Sequence, residues 1–118
     1  MHALIVSLVM TTLALSPWTG KTLPTANPDA VQYRLTVHGE PNATVKLQAT
    51  GVARGWIASF CTDRVCSPFR ASLPLSASGN GTMEFALIRD DDSAPRKTHV
   101  VVSSDDGAVA TLDVKANR

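Results

Sequence analysis

A chain of 118 residues, 44% hydrophobic and 18% charged, has the makeup of one globular domain rather than of a disordered or fibrous segment. Eleven Lys and Arg against ten Asp and Glu leave a formal charge of +1. Such a balance offers no general attraction for nucleic acid or an anionic membrane, so both partner classes are set aside.

From Ala3 to Leu15 the sequence ALIVSLVMTTLAL is uncharged and apolar. A helix needs about 20 residues to cross a bilayer core, so this run is too short to span but suits the hydrophobic region of a signal peptide. Residues 1–18 therefore read as a signal helix that export removes, with Ala14 and Ser16 small enough to precede a cut. The segment before the run supplies only the amino terminus and His2, where Lys or Arg is usual. The alternative is a buried N-terminal strand or helix. No Cys follows the run, which argues against a lipoprotein anchor. Residues 19–28, TGKTLPTANP, lack periodicity and are rich in Pro, Thr and Gly, so they read as a linker.

Residues 29–118 form the predicted folded domain, and their hydrophobic period is two almost throughout. The first strand sets Val31, Tyr33, Leu35 and Val37 on one face, and the second sets Val45, Leu47 and Ala49, with a turn at 39–42 between them. The third, over 54–60, turns Trp56, Ala58 and Phe60 inward. A fourth, over 69–75, alternates Phe69, Ala71, Leu73 and Leu75. Its Pro74 has no N–H for a ladder, so it belongs at a sheet edge. After the Ser78-Gly79-Asn80-Gly81 turn come Met83, Phe85 and Leu87, then a polar loop at 90–95. Val100 and Val102 mark a sixth strand, and Ala110, Leu112 and Val114 a seventh, joined by Asp105-Asp106-Gly107. The fold class is thus all-β, a seven-stranded antiparallel immunoglobulin-like sandwich, with a small barrel as the other way to keep the apolar faces dry.

Cys61 and Cys66 are the two cysteines, and behind a signal segment such a pair reads as a disulfide. Closing so short a loop stabilises by about 2 kcal/mol in the chain-entropy model, so its main effect is to shape the connection after the Trp56 strand. If the strands simply alternate, the connections at 39–42, 61–66 and 90–96 gather at one end, and those at 51–53, 76–81 and 104–107 at the other. The candidate binding surface is then the first end, with Asp63, Arg64, Arg96 and Lys97. The same geometry allows a metal-handling alternative in which His38, His99, Cys61 and Cys66 hold zinc or copper. A redox role for the pair lacks the two-residue spacing and the βαβ setting it requires.

The runs Asp90-Asp91-Asp92 and Asp105-Asp106 fall at opposite ends and lack calcium-loop spacing, so they read as solvated turns. Asn42-Ala43-Thr44 and Asn80-Gly81-Thr82 match the glycosylation pattern, in turns. Neither surviving His has the convergent partners of a nucleophile–base–orienter set, so the chain reads as non-enzymatic and no cofactor is expected.

The segment Gly55-Trp56-Ile57-Ala58-Ser59-Phe60-Cys61, then Cys66-Ser67-Pro68-Phe69, Gly79-Asn80-Gly81 and the final Ala108-Val109-Ala110-Thr111-Leu112, resembles bacterial extracytoplasmic immunoglobulin-like domains of the CARDB type. In antibody domains the disulfide crosses between sheets, whereas here both cysteines flank one loop. The resemblance implies a secreted or periplasmic location and a binding or structural role, and carries over no functional residue. The expected partner is a protein or glycan in the cell envelope or outside the cell, and the chain is not an integral membrane protein once the leader is removed. A different expectation has a partner adding a strand at the Pro74 edge.

Overall fold

Alternation of apolar and polar residues decides the architecture, because each strand can dry only one side unless a second layer covers it. The computed structural model describes residues 10–18, 30–62 and 65–116, and these form nine strands and no helix. They are β1 (Thr12–Pro17), β2 (Ala30–His38), β3 (Thr44–Thr50), β4 (Trp56–Thr62), β5 (Val65–Pro68), β6 (Arg70–Pro74), β7 (Asn80–Arg89), β8 (Lys97–Ser104) and β9 (Val109–Lys115). Sheet A has the order β1-β2-β7-β4-β5 and sheet B the order β6-β3-β8-β9, with every neighbouring pair antiparallel. The linker expected at 19–28 lies outside the described residues, as does most of the apolar run.

Most of the inward residues read from the sequence make the core or pack against it, whereas Phe69 is exposed. Leu35 and Val37 of β2, Phe60 of β4, Phe85 and Leu87 of β7, and Val100 and Val102 of β8 are its largest fully buried side chains. Phe60 and Phe85 stand opposite each other in the β4–β7 ladder, with ring centroids 5.0 Å apart and planes tilted by 50°. Burying each such side chain is worth about 1.5–3 kcal/mol, so the interleaved faces of the two sheets dominate stability. Pro74 sits on β6, an edge of sheet B, as its missing N–H requires.

The count is nine strands rather than seven, for two reasons. First, residues 12–17, expected at the end of a signal helix, are strand β1, paired with β2 from Thr12↔His38 to Pro17↔Tyr33. Leu13 and Leu15 alternate with Ala14 and Ser16, so β1 can turn both leucines onto the core beside Val37 and Leu35.

Second, the stretch read as a loop and one strand is two strands meeting at Phe69. Its N–H donates to the Ala58 carbonyl in sheet A at 2.9 Å, and its carbonyl accepts from the Ala49 N–H in sheet B at 2.8 Å. Reversing direction while changing sheets in one residue puts Phe69 at φ 64°, a left-handed conformation that is rare for a bulky side chain.

That extra strand shifts which connections share an end. The turns at 39–43 and 75–79 meet through Gly39 N–H to Gly79 O at 2.8 Å and Asn42 N–H to Ser76 O at 2.9 Å. The 62–65 hairpin tip and the 105–108 turn are at this end too, the latter joined by Asp105 N–H to Lys46 O at 3.0 Å. The opposite end holds 51–55 and 90–96, linked by Asp90 N–H to Gly55 O at 2.8 Å.

Candidate functional site

Cys61 in β4 and Cys66 in β5 face each other directly across the ladder, Cα to Cα 4.1 Å, and are joined as a disulfide. Cys61 is buried, whereas Cys66 and its neighbour Val65 are exposed on the four-residue edge strand. The bond therefore clamps a short edge that could hold little by packing. Asp63 and Arg64, at the hairpin tip, lie outside the described residues.

Both sulfurs project from the outer face of sheet A, away from Phe60 and the core. Register places one row of residues across all five strands: Ser16, Arg34, Glu84, Cys61 and Cys66. With strands about 4.8 Å apart, the row is about 19 Å long. Trp18, Arg34, Cys61, Thr62, Thr82, Met83 and Glu84 line a shallow depression of about 530 Å³ on it. The Arg34 guanidinium carbon lies 5.1 Å from the centre of the Trp18 ring, a cation–π contact that holds both side chains along the surface.

Glu84 is 4% exposed, unusual for a carboxylate on an outward position, and the Gln32 side-chain amide donates to its Oε2 at 3.0 Å. Ser59 Oγ lies 3.6 Å from the Cys61 sulfur beside it. The depression thus combines a guanidinium donor, carboxylate and hydroxyl acceptors, an indole and an apolar disulfide. That mixture suits recognition of a polar ligand with one flat apolar side, as a peptide or sugar presents.

Burial on the outer face was not expected from alternation. Ser59, Cys61, Glu84 and Ala86 all point outward and all are buried. The signal was present in β7, where Met83-Glu84-Phe85-Ala86-Leu87-Ile88 is nearly continuous in apolar residues, the pattern of a central strand covered on both faces.

Other expected site residues are dispersed. Arg96 and Lys97 belong to the Trp56 end of β4, shown by Trp56 Nε1–H donating to Pro95 O at 2.7 Å. The hairpin tip lies at the other end of that strand, about 20 Å away at about 3.3 Å per residue. Arg96 and Lys97 therefore lie at the opposite end of β4 from Thr62 and Val65, because β5 adds one more reversal of the chain before β6.

The metal-handling set is not assembled either. Cys61 and Cys66 are bonded to each other. His38 Nδ1 pairs with Asn80 Oδ1 at 2.7 Å near the hairpin end of sheet A. His99 Nδ1 pairs with Asp113 Oδ1 at 2.8 Å on the outer face of sheet B. Among the described residues no three His, Cys, Asp or Glu side chains converge as metal ligands.

The acidic turns are placed at opposite ends, as expected. Asp91 accepts from the Ser93 backbone N–H and hydroxyl, each at 2.8 Å, and these bonds hold its carboxyl below the usual 3.8. Hydrogen bonds from the Ser104 hydroxyl and then the Thr11 hydroxyl lower Asp106 in the same way. A second concavity, on the outer face of sheet B, is lined by exposed Lys46, Gln48, Arg70 and Ser72 together with Ser103, and contains no aromatic residue or buried charge.

No protein-family model matches the chain, and no curated protein does. Solved structures with some likeness include a DUF4466 family protein from Parabacteroides merdae, at TM-score 0.41 and 8% identity over 91% of this chain. The present chain spans 44% of that protein's length. The copper-bound PCuAC domain from PmoF2 aligns at TM-score 0.35 and 15% identity over 98% of this chain and 97% of its own. The structural-genomics target SoR45 aligns at TM-score 0.31 and 8% identity, covering 93% and 84%. These likenesses are loose, and what those proteins bind is not carried to this chain.

Proposed function

We propose that this chain is an exported, non-enzymatic β-sandwich module, immunoglobulin-like in kind, that binds a protein or glycan through the disulfide-bearing outer face of sheet A. The observation that carries the reading is the cross-sheet row in which Arg34 and buried Glu84 adjoin Cys61–Cys66. Glu84 accepts from the Gln32 amide and stands beside Arg34 in the ladder, so the face offers donor and acceptor groups next to the apolar disulfide, as a protein or glycan ligand would use. Export is supported by the disulfide, which persists in oxidising compartments, and by the apolar run from Ala3 to Leu15.

The test is capture from envelope extract and on a glycan array, with each captured species identified by mass spectrometry. Arg34→Ala and Glu84→Gln are expected to abolish capture of the same species while leaving the fold intact. A species captured equally well by both variants would remove this face as the binding site. Metal handling gains no supporting geometry, because Cys61 and Cys66 are bonded to each other and His38 and His99 pair elsewhere with Asn80 and Asp113.

A further inference from the structure

The residues that end the apolar leader run also form strand β1. Thr12 to Leu15 serve the first role by being uncharged and the second by alternating, and a leader cut after Ala14 or Ser16 would remove half or more of β1 from sheet A. We propose that the edge of β2 is then a strand-acceptor site, occupied in the mature protein by an extended segment of another exported polypeptide. This rests on the export reading above.

The physical case begins with what β1 covers. Leu13 pairs with Val37 and Leu15 with Leu35, and both partners are 0% exposed in the core. Removing β1 unpairs the ladder groups of β2 from Tyr33 to His38 and wets one flank of these two side chains. An unpaired ladder with an apolar flank is the setting in which a peptide adds as a strand, the backbone supplying affinity and the alternate side chains specificity.

The sheet edges that remain are defended. β5 carries Pro68 and the disulfide, β6 carries Pro74, and β9 carries Asp113 and Lys115. β2 carries no proline over its nine residues, because it is built as an interior strand. The Pro74 edge, by contrast, is poorly suited to strand addition.

β1 itself states the chemistry of the occupant. It has apolar side chains two residues apart, to lie beside Val37 and Leu35, and small or hydroxyl-bearing residues between them. Ser16 stands opposite Arg34, so a neutral or acidic residue fits at that position. The Thr11 hydroxyl adds a bond to Asp106 beyond the end of the strand.

The experiment uses the chain exported from a bacterial host and a fluorescent peptide of residues 10–18. Intact mass gives the N-terminus, which reads the export step by itself. The processed chain is expected to bind the peptide saturably by anisotropy, with the Leu13→Asp, Leu15→Asp peptide about tenfold or more weaker. A folded processed chain that binds neither peptide, or both equally, overturns the acceptor site. A dimer that the peptide dissociates would make a second copy the occupant and overturn the choice of partner.

If the exported chain keeps residues 10–18, the leader reading fails, and the edge is then judged separately. A specific-protease site placed between residues 22 and 26 of the full chain cuts β1 free of its connection. Exchange of the cut β1 for labelled peptide upholds the acceptor edge, and its absence overturns it.

Discussion

The indole N–H of Trp56 donates to the carbonyl of Pro95 across 2.7 Å, from a central strand of sheet A to the loop that leads into sheet B. The same residue is 3% exposed, and its backbone N–H closes the turn to Ala53 O at 3.1 Å. Trp56→Phe keeps most of the apolar contact and leaves the Pro95 carbonyl without this donor. It is expected to cost about 1–2 kcal/mol in urea unfolding, against about 3–5 kcal/mol for Trp56→Ala. No loss for Trp56→Phe would mean that the hydrogen bond contributes nothing.

Two glycines separate backbone strain from steric exclusion. Gly79 has φ 80°, and a Cβ built there would lie 2.2 Å from the Gly39 carbonyl oxygen, so Gly79→Ala must move the turn that joins 39–43 to 75–79. Gly107 has φ 95° with nothing near its Cβ direction. Gly107→Ala should cost only the left-handed backbone penalty of about 1–2 kcal/mol, and Gly79→Ala clearly more, read as paired shifts in Tm.

Replacing both cysteines by alanine removes a covalent loop of six residues, counting Cys61 and Cys66, whose sequence separation is 5. The expected loss is about 2 kcal/mol in the chain-entropy model. Hydrogen exchange should quicken in β5 far more than in β4, because β4 keeps its ladder to β7. Uniform quickening across sheet A would show that the bond does more than clamp an edge.

Acid should be felt at the 90–95 loop through Asp91. Its folded pKa is depressed, so the stability it contributes is present above the unfolded carboxylate value of 3.8 and is lost as pH falls through the lower folded value. The leading cause is the Ser93 backbone N–H, followed by the Ser93 hydroxyl. Carboxyl-detected NMR titration should therefore find Asp91 below 3.8, and Ser93→Ala should bring it partway back. No movement in that variant would leave the depression to the backbone N–H of residue 93, which alanine keeps.

The strands and core were legible because Val31 to Val37, Val45 to Ala49 and Val100 to Val114 alternate cleanly and a two-layer fold must bury those faces. Two things were hidden. One is the corner at Phe69, where nothing in the local residue types announces a left-handed turn, since the pattern Phe69-Arg70-Ala71 continues a strand rhythm across it. The end assigned to each loop after it depended on that corner, so Arg96 and Lys97 lie at the Trp56 end of β4 and not with the Cys61–Cys66 ladder pair.

The other is β1. An apolar, uncharged segment satisfies a leader and an edge strand equally well until its neighbour is known, and the neighbour, β2, is set by residues farther along the chain. The row through Arg34, Glu84 and Cys61 was hidden for the same reason. It joins residues from three segments that only register brings level.

Strand order also governs how the chain reaches this state. At the centre of sheet A, β2 meets β7, and the hydrogen-bonded side chains of Gln32 and Glu84 are 52 positions apart. Closing a loop of that length costs about 3.5 kcal/mol in chain entropy beyond a constant, before any contact offsets it. Of the seven strand pairings among the described residues only β1–β2, β4–β5 and β8–β9 join consecutive strands, so folding should run in milliseconds to seconds, as non-local β topologies do. A nascent chain that ends before Asn80 has no β7, and its β2 and β4 are left with nothing between them.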